Sequence, residues 1–287
     1  MTKALFLYTK ASGSGKILQE IDGIKEELSL CFDTLDSHLL DGVEDGMKRA
    51  KEACGKYDVL IISGGDGTFF HIINAIVNEK EIPTIGYING GTICDVGKNF
   101  GIAGNHKKAL KIIKQGFTCT YDLVDCNGTA FNYMAAVGAY SDIAYATPRY
   151  LVKRHGRLSY YFRAVTQAFR RTRIHAHVEV DGKAFDCKTP FVLLLNGKNV
   201  GGFCVNPRSS MHDGKVELLL AKPGLFNGLL HYFFHVGVTK ISATEMKIKT
   251  DANQAWCMDG EETFAGELNV KVLQNRIRIF CAKRYSK

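Results

Sequence analysis

The feature that most constrains this chain is a change of rhythm near Gly116. Up to that point, short β-rich runs alternate with longer stretches whose apolar residues recur at helical spacing. That alternation predicts βαβ units on a mainly parallel sheet. ALFLYT, CFDTLD, DVLIISGG and PTIGYING are the strand candidates. SGKILQEIDGIKEELSL, DGVEDGMKRAKEACGK and TFFHIINAIVNE are the helices between them, and HKKALKIIKQG closes the series with lysines opposite a Leu/Ile stripe. Beyond Gly116 come TCTYDLVDCNG, AFNYMAAVGA, HAHVEVDGKAF, PFVLLLNGK, KVELLLAK, EMKIKTD and LNVKVLQNRIRIFC, all short strand runs bounded by Gly, Asn and Asp turns. One stretch of helical length, ending at Arg171, interrupts them. The expected division is a three-layer α/β domain over residues 1–120 and a mainly antiparallel β domain over residues 121–287, with no long linker or fixed-period repeat.

Two glycine turns sit on this scaffold. Asp58 to Ser63 is a nearly continuous apolar run, as a central parallel strand buried on both faces requires. Gly64 and Gly65 end it, and glycines let backbone N–H groups close on a phosphate at the start of the next helix. Thr68 suits the helix N-cap. Asp66 is the informative residue, since a carboxylate beside phosphates is repelled unless a cation or proton lies between them. The turn therefore points to a nucleoside triphosphate with Mg²⁺, and an ordinary tight strand-to-helix turn is the bland alternative. A second buried strand ends in Gly90, Gly91 and Thr92 with Asp95 shortly beyond, so two strands deliver a Gly/Thr turn and an aspartate to one sheet edge. Neither a P-loop nor GxGxxG is present: Lys10 and Ile17 stand where the P-loop needs Gly and Ser/Thr.

Composition narrows the partners. Lysine and arginine outnumber aspartate and glutamate by 37 to 29, a net charge of +8 that favours an anionic partner. No helix-turn-helix, zinc-finger or RNP pattern accompanies it, so nucleic acid is set aside. Nine cysteines lie without a CxxC pair or zinc spacing and are expected to be reduced, mostly buried apolar groups. The apolar run Ala4 to Tyr8 is too short for a signal-peptide core or a membrane span, which sets the expectation of a cytoplasmic protein.

GGDGT, Gly64 to Thr68, and GGTICD, Gly90 to Asp95, together resemble the diacylglycerol kinase catalytic domain family, the bacterial lipid kinases related to sphingosine kinases. The likeness continues through Ser12 and Gly13, KRHGRLSY at Lys153 to Tyr160, Asn196, Gly201 and Gly202, Pro207, Asp213 and Gly214, and MDGEE with Asp259, Gly260 and Glu261. The resemblance implies a nucleotide-binding domain like that of phosphofructokinase and NAD kinase, a C-terminal β-sandwich, and transfer of the ATP γ-phosphoryl group to a lipid hydroxyl. By the same resemblance Thr9, Ser12, Gly64, Gly65, Gly67, Thr68, Gly91 and Thr92 would hold nucleotide. Asp66 and Asp95 would organise catalytic Mg²⁺ through water, Glu261 would be the general base, and Asp213 would hold a structural cation. The expected partners are a lipid substrate, an anionic membrane surface at the inner face and a second copy of the chain. The basic, aromatic-rich stretch from Lys153 to Arg173 suits the membrane contact.

The sequence departs from the family's pattern at six places. Thr9 and Lys10 replace Asn-Pro in the first loop, Phe70 and His71 replace Asn-Glu after GGDGT, and Asn89 and Cys94 replace Pro and Asn in the second motif. His71 is expected to be packed or partly exposed rather than a ligand. Two other readings stand beside the lipid kinase: a soluble-substrate kinase of the NAD kinase type, and a nonenzymatic nucleotide or lipid sensor.

Overall fold

The computed structural model describes residues 1–10, 16–91, 93–102, 104–139, 141, 173–223 and 237–286. Its elements in chain order begin with β1 (Lys3–Thr9), α1 (Lys16–Gln19), α2 (Ile21–Ser29), β2 (Thr34–Leu40), α3 (Val43–Ala53), β3 (Val59–Gly64), α4 (Asp66–Ile76), β4 (Thr84–Asn89), α5 (Asp95–Asn99) and α6 (His106–Gln115). There follow β5 (Thr118–Cys126), β6 (Thr129–Phe131), β7 (Met134–Gly138), β8 (Ile174–Val180), β9 (Lys183–Thr189), β10 (Phe191–Leu195), β11 (Asn199–Val200) and β12 (Phe203–Cys204). The last are β13 (Val216–Ala221), β14 (Val238–Ala243), β15 (Glu245–Thr250), β16 (Cys257–Met258), β17 (Glu261–Glu262) and β18 (Leu268–Phe280).

Two compact units result. The first comprises Met1–Tyr121, Asn199–Cys204 and Asn275–Lys287; the second comprises Asp122–Lys198 and Val205–Gln274. Neither is contiguous in sequence, unlike the division expected at residues 120 and 121. The physical reason is pairing between segments far apart in sequence. Ile279 on β18 pairs parallel with Ile85 on β4, and Cys281 N–H donates to Phe117 O at 2.9 Å.

In the first unit the strands run in the order β2-β1-β3-β4, all parallel, with the C-terminal end of β18 beyond β4. Strand order reverses between β1 and β3, the place where open α/β sheets bind ligands at their carboxyl ends. Helices cover both faces. Tyr87 meets Phe69 of α4 in an edge-on ring contact with centroids 4.9 Å apart. The neighbouring Gly86, pointing the other way, faces Ile113 of α6, whose Cδ1 would lie 3.4 Å from a Cβ placed there. β3 is buried throughout and α4 buries Phe69, Phe70, Ile72, Ile73, Ala75 and Ile76, so this pair forms the middle of the unit. α6 starts at Asn105, whose side chain accepts from Lys108 N, and ends at Gly116 in the left-handed region.

The second unit is antiparallel. β15, β8 and β9 continue from the N-terminal half of β18, and a second sheet runs β14-β13-β10-β7-β16-β17. β8 alternates buried and exposed positions, the mark of one solvated face, whereas β13 is buried throughout. The turn at Asp181 and Gly182, both at positive φ, is the two-residue hairpin that the DG pair favours. The expected fold class, α/β followed by antiparallel β, is thus observed. All nine cysteines are free; Cys94, Cys119, Cys126, Cys257 and Cys281 are buried and Cys204 is exposed. Among the described residues no helix is long and apolar enough to cross a membrane.

Two boundaries moved. The predicted strand CFDTLD begins only at Thr34, because the turn before it is fixed by Asp33, whose carboxylate accepts from Thr2 N at 2.6 Å. The predicted strand AFNYMAAVGA is broken at Asn132 and Tyr133 between β6 and β7.

Candidate active site

The first glycine turn lies where β3 passes into α4. The residue that caps the helix is Gly65, with extended backbone and no side-chain cap bond, and the helix begins at Asp66. The sequence-based expectation that Thr68 is the N-cap is therefore corrected. Thr68 stands within the first turn and folds over Gly64, where an added Cβ would come within 2.6 Å of Thr68 Cβ. A side chain at Gly64 would have to push that turn away. The first intrahelical bond is Phe69 N to Gly65 O at 3.1 Å, so the N–H groups of residues 66–68 precede the helical ladder and lie at the positive end of the helix dipole.

The second turn, after β4, is pressed against the first. An added Cβ on Gly91 would sit 2.9 Å from Gly65 Cα. Gly90 N–H donates to Gly64 O at 2.8 Å. The Asn89 side chain closes its own turn, with Oδ1 accepting from Gly91 N at 2.8 Å and Nδ2 donating to Gly91 O at 3.3 Å. Tyr87, buried beneath, donates to Gly64 O at 3.3 Å and lies 3.5 Å from Asn89 Oδ1. Burial, then the Asp66 charge, holds its phenol well above the usual range, so it stays protonated and remains a donor.

Asp66 ties the turns together. Its carboxylate accepts from Asp95 N at 3.1 Å and Val96 N at 3.3 Å, the first residues of α5. Cys94 caps that short helix in the left-handed conformation, φ 59°. Its buried thiol is pushed up to about 12, by burial first and Asp66 second, which keeps it neutral. Asp95 is 2% exposed. Its Oδ1 accepts from Lys98 Nζ at 3.1 Å and from Gly202 N at 3.0 Å. Asn99 of the same helix meets the Asn199 side chain at 3.2 Å. Gly201 and Gly202, at φ 61° and 92°, form the turn that brings this N–H to Asp95.

The fit of a magnesium ion can be tested on these donors. Among the described residues no three His, Cys, Asp or Glu side chains gather as a metal site. Asp66 is half-buried and the oxygens that accept the two N–H groups retain further lone pairs, which suits acceptance from metal-bound water. Asp95 is deeply buried and already charge-paired, so its contribution would pass through that same hydrogen-bonded shell.

The second unit carries the remaining expected residues. β16 and β17 form a hairpin whose turn is Asp259 and Gly260, at φ 51° and 93°. The Asp259 carboxylate, 2% exposed, accepts from Asn132 N (2.6 Å), Asn132 Nδ2 (2.8 Å), Tyr133 N (3.0 Å) and Met134 N (3.2 Å). These bonds account for the break between β6 and β7. Burial raises its carboxyl to about 6 against the opposing pull of those donors. Glu261 follows, half-buried and paired with Met258. Asp213 is exposed and accepts from Lys215 N at 3.1 Å. Gly214 N donates to the buried Asp122 at 2.7 Å, and Asn196 Nδ2 donates to Asp122 O and Asn132 O at 2.6 and 2.8 Å. Grooves of about 420 and 760 Å³ lie over the solvated faces of β8, β9 and β15 and include none of the expected site residues.

Ser12, Thr92 and the basic stretch from Lys153 to Arg171 lie outside the described residues. Thr9 ends β1, and Phe70 is buried with its ring 5.2 Å from that of His71, which is half-buried. Sequence reasoning passed over Tyr87, which read only as a strand residue, and Lys98, which the Asp95 i,i+3 spacing offered as a signal. Asp122 lay inside a strand run with nothing to mark it.

The fold, a parallel α/β unit followed by an antiparallel β unit, is shared with solved structures described as bacterial diacylglycerol kinases. A crystal structure of a diacylglycerol kinase from Bacillus anthracis strain Sterne matches with a TM-score of 0.85 over 98% of both chains, at 21% identity. Residues 3–126 match the model of the diacylglycerol kinase catalytic domain, which bears out the resemblance read from GGDGT and GGTICD. Diacylglycerol kinase of Bacillus subtilis strain 168 is 27% identical over 225 residues, 77% of this chain and 74% of that one. A diacylglycerol kinase of Staphylococcus aureus strain MRSA252 is 26% identical over 222 residues, 77% and 70% of the two chains.

Proposed function

We propose that this protein is an ATP-dependent lipid kinase that transfers the γ-phosphoryl group to the hydroxyl of a diacylglycerol-like or sphingoid-like lipid. The observation that most supports this is the contact of two glycine turns at the carboxyl edge of a parallel sheet, with Asp66 joining them. Phosphoryl transfer depends on positioning and charge neutralisation more than on covalent help. In this reading the N–H groups at Gly65, Gly67 and Thr68 receive the phosphates, and Thr9, Ser12, Gly64, Gly91 and Thr92 surround them. Asp66 and Asp95 would hold Mg²⁺ through water, and the ion would neutralise charge on the β- and γ-oxygens. Glu261 is the proposed base: it takes the hydroxyl proton as the lipid oxygen bonds to γ-phosphorus and the β–γ bridging bond breaks, leaving ADP. Asp213 is proposed to support a structural cation, and the net charge of +8 favours peripheral contact with an anionic membrane.

The test incubates the pure protein with γ-labelled ATP, Mg²⁺ and separated pools of cell lipids and soluble metabolites. Label in the lipid pool is expected. Label in NAD alone would replace this reading with a soluble-substrate kinase, and nucleotide binding without label in either pool would replace it with a sensor. Glu261→Gln should abolish transfer while ATP still binds; near-normal turnover would remove Glu261 as the base.

A further inference from the structure

We propose that Tyr87 and Asn89 are positioning residues that hold the second glycine turn in a fixed, preformed shape against the first, and thereby set nucleotide affinity. The proposal rests on the kinase reading above for its ligand, a nucleoside triphosphate.

The backbone donors of the second turn have their partners inside the protein. Gly90 N–H is taken by Gly64 O and Gly91 N–H by Asn89 Oδ1. Those two groups, which a glycine turn would otherwise aim at an anion, are consumed within the protein. What Gly91 offers is its bare Cα, which lets the turn approach Gly65 so closely that a Cβ there would come within 2.9 Å. The phosphate donors are then left to the first turn of α4, and the second turn acts as the wall that fixes it. Asn89 is the residue that makes this wall, because its carboxamide binds both the N–H and the C=O of Gly91. A proline at that position could make neither bond.

Tyr87 supplies the floor. It is 1% exposed, so its hydroxyl cannot exchange partners with water. It donates to Gly64 O, the same carbonyl that receives Gly90 N–H, and lies within reach of Asn89 Oδ1. One phenol thus touches the end of β3 and the side chain that closes the turn after β4. An ordered turn loses less conformational freedom when ligand arrives, so the gain should appear as affinity rather than as a faster chemical step.

Four proteins test this: wild type, Tyr87→Phe, Asn89→Ala and Asn89→Ser, whose hydroxyl can accept from the N–H two residues on. Mg-ATP binding, KM, kcat and amide hydrogen exchange at Gly90 and Gly91 are measured on each. Removing one or two such hydrogen bonds should weaken ATP binding by about threefold in Tyr87→Phe and about tenfold in Asn89→Ala. Turnover at saturating ATP should stay within about twofold, and Asn89→Ser should recover part of the affinity. Gly91 exchange should accelerate in Asn89→Ala. Unchanged affinity with unchanged exchange overturns the proposal, as does a fall in kcat with affinity intact. If the wild-type protein binds no ATP, the kinase reading fails and the affinity role with it, and the exchange rates still decide whether Asn89 preforms the turn: slow Gly91 exchange persisting in Asn89→Ala would end that as well.

Discussion

Asp66 and Asp259 each stand beside a glycine in a tight turn, and each carboxylate is held by backbone N–H groups, yet the two are built for different work. Asp259 is almost fully enclosed and receives four hydrogen bonds from Asn132, Tyr133 and Met134. Asp66 is half-buried and accepts from the first two residues of α5. The first is a joint that closes a break between two strands. The second leaves surface for something else to use. A Gly-Asp-Gly or Asp-Gly-Glu string cannot distinguish these, because the difference lies in how many distant donors converge on the carboxylate.

The difference between the two carboxylates should show most strongly at Asp259. Asp259→Ala leaves four buried donors without an acceptor and should cost about 3–5 kcal/mol of stability, read from urea unfolding. The same residue predicts a pH dependence. Its folded carboxyl is raised to about 6 from an ordinary value of 3.8, so between those values the folded chain binds more protons than the unfolded one. Stability should therefore be highest below that window and fall as pH rises through it, by on the order of 2–3 kcal/mol. A flat profile for the wild type would mean that the four donors offset burial, and an unchanged one in Asp259→Ala that another group sets the pH dependence.

Gly91→Ala should come next. Its Cβ would press on Gly65 Cα, a backbone atom that cannot swing aside, and the expected cost is about 1–3 kcal/mol together with a loss of ATP affinity. Normal stability and affinity would show that the turns separate freely. Asp66→Asn should have the smallest effect on stability, about 1 kcal/mol, since an amide oxygen can still accept from α5. Its effect on phosphoryl transfer should be severe. A variant that loses stability as Asp259→Ala does, but keeps turnover, would make Asp66 a joint as well.

Much of this was legible in the sequence. The change of rhythm at Gly116 gave the two kinds of sheet because periods of 3.6 and 2 are direct consequences of backbone geometry. GGDGT and GGTICD marked the ends of β3 and β4 because only glycine permits their close approach. The rest depended on partners far along the chain. Gly202 reaches Asp95 across 107 positions, and the break at Asn132 is set by a carboxylate 127 positions away. Thr68 was misplaced for a related reason: a threonine near a helix start suits a cap, but with glycine preceding Asp66 the helix begins earlier and the threonine packs instead. Tyr87 was hidden because a tyrosine in a strand run reads as apolar filling.

The parallel pairing of Ile279 with Ile85 sets a limit on dissecting the molecule. A polypeptide cut after Tyr121 would keep every strand from β1 to β4 but lose the segment that shields the outer side of β4. The bared N–H and C=O row would offer a template for recruiting stray strands. Such a fragment is expected to aggregate unless a peptide spanning Asn275 to Tyr285 is supplied in trans, which makes that segment a removable stopper for the first unit.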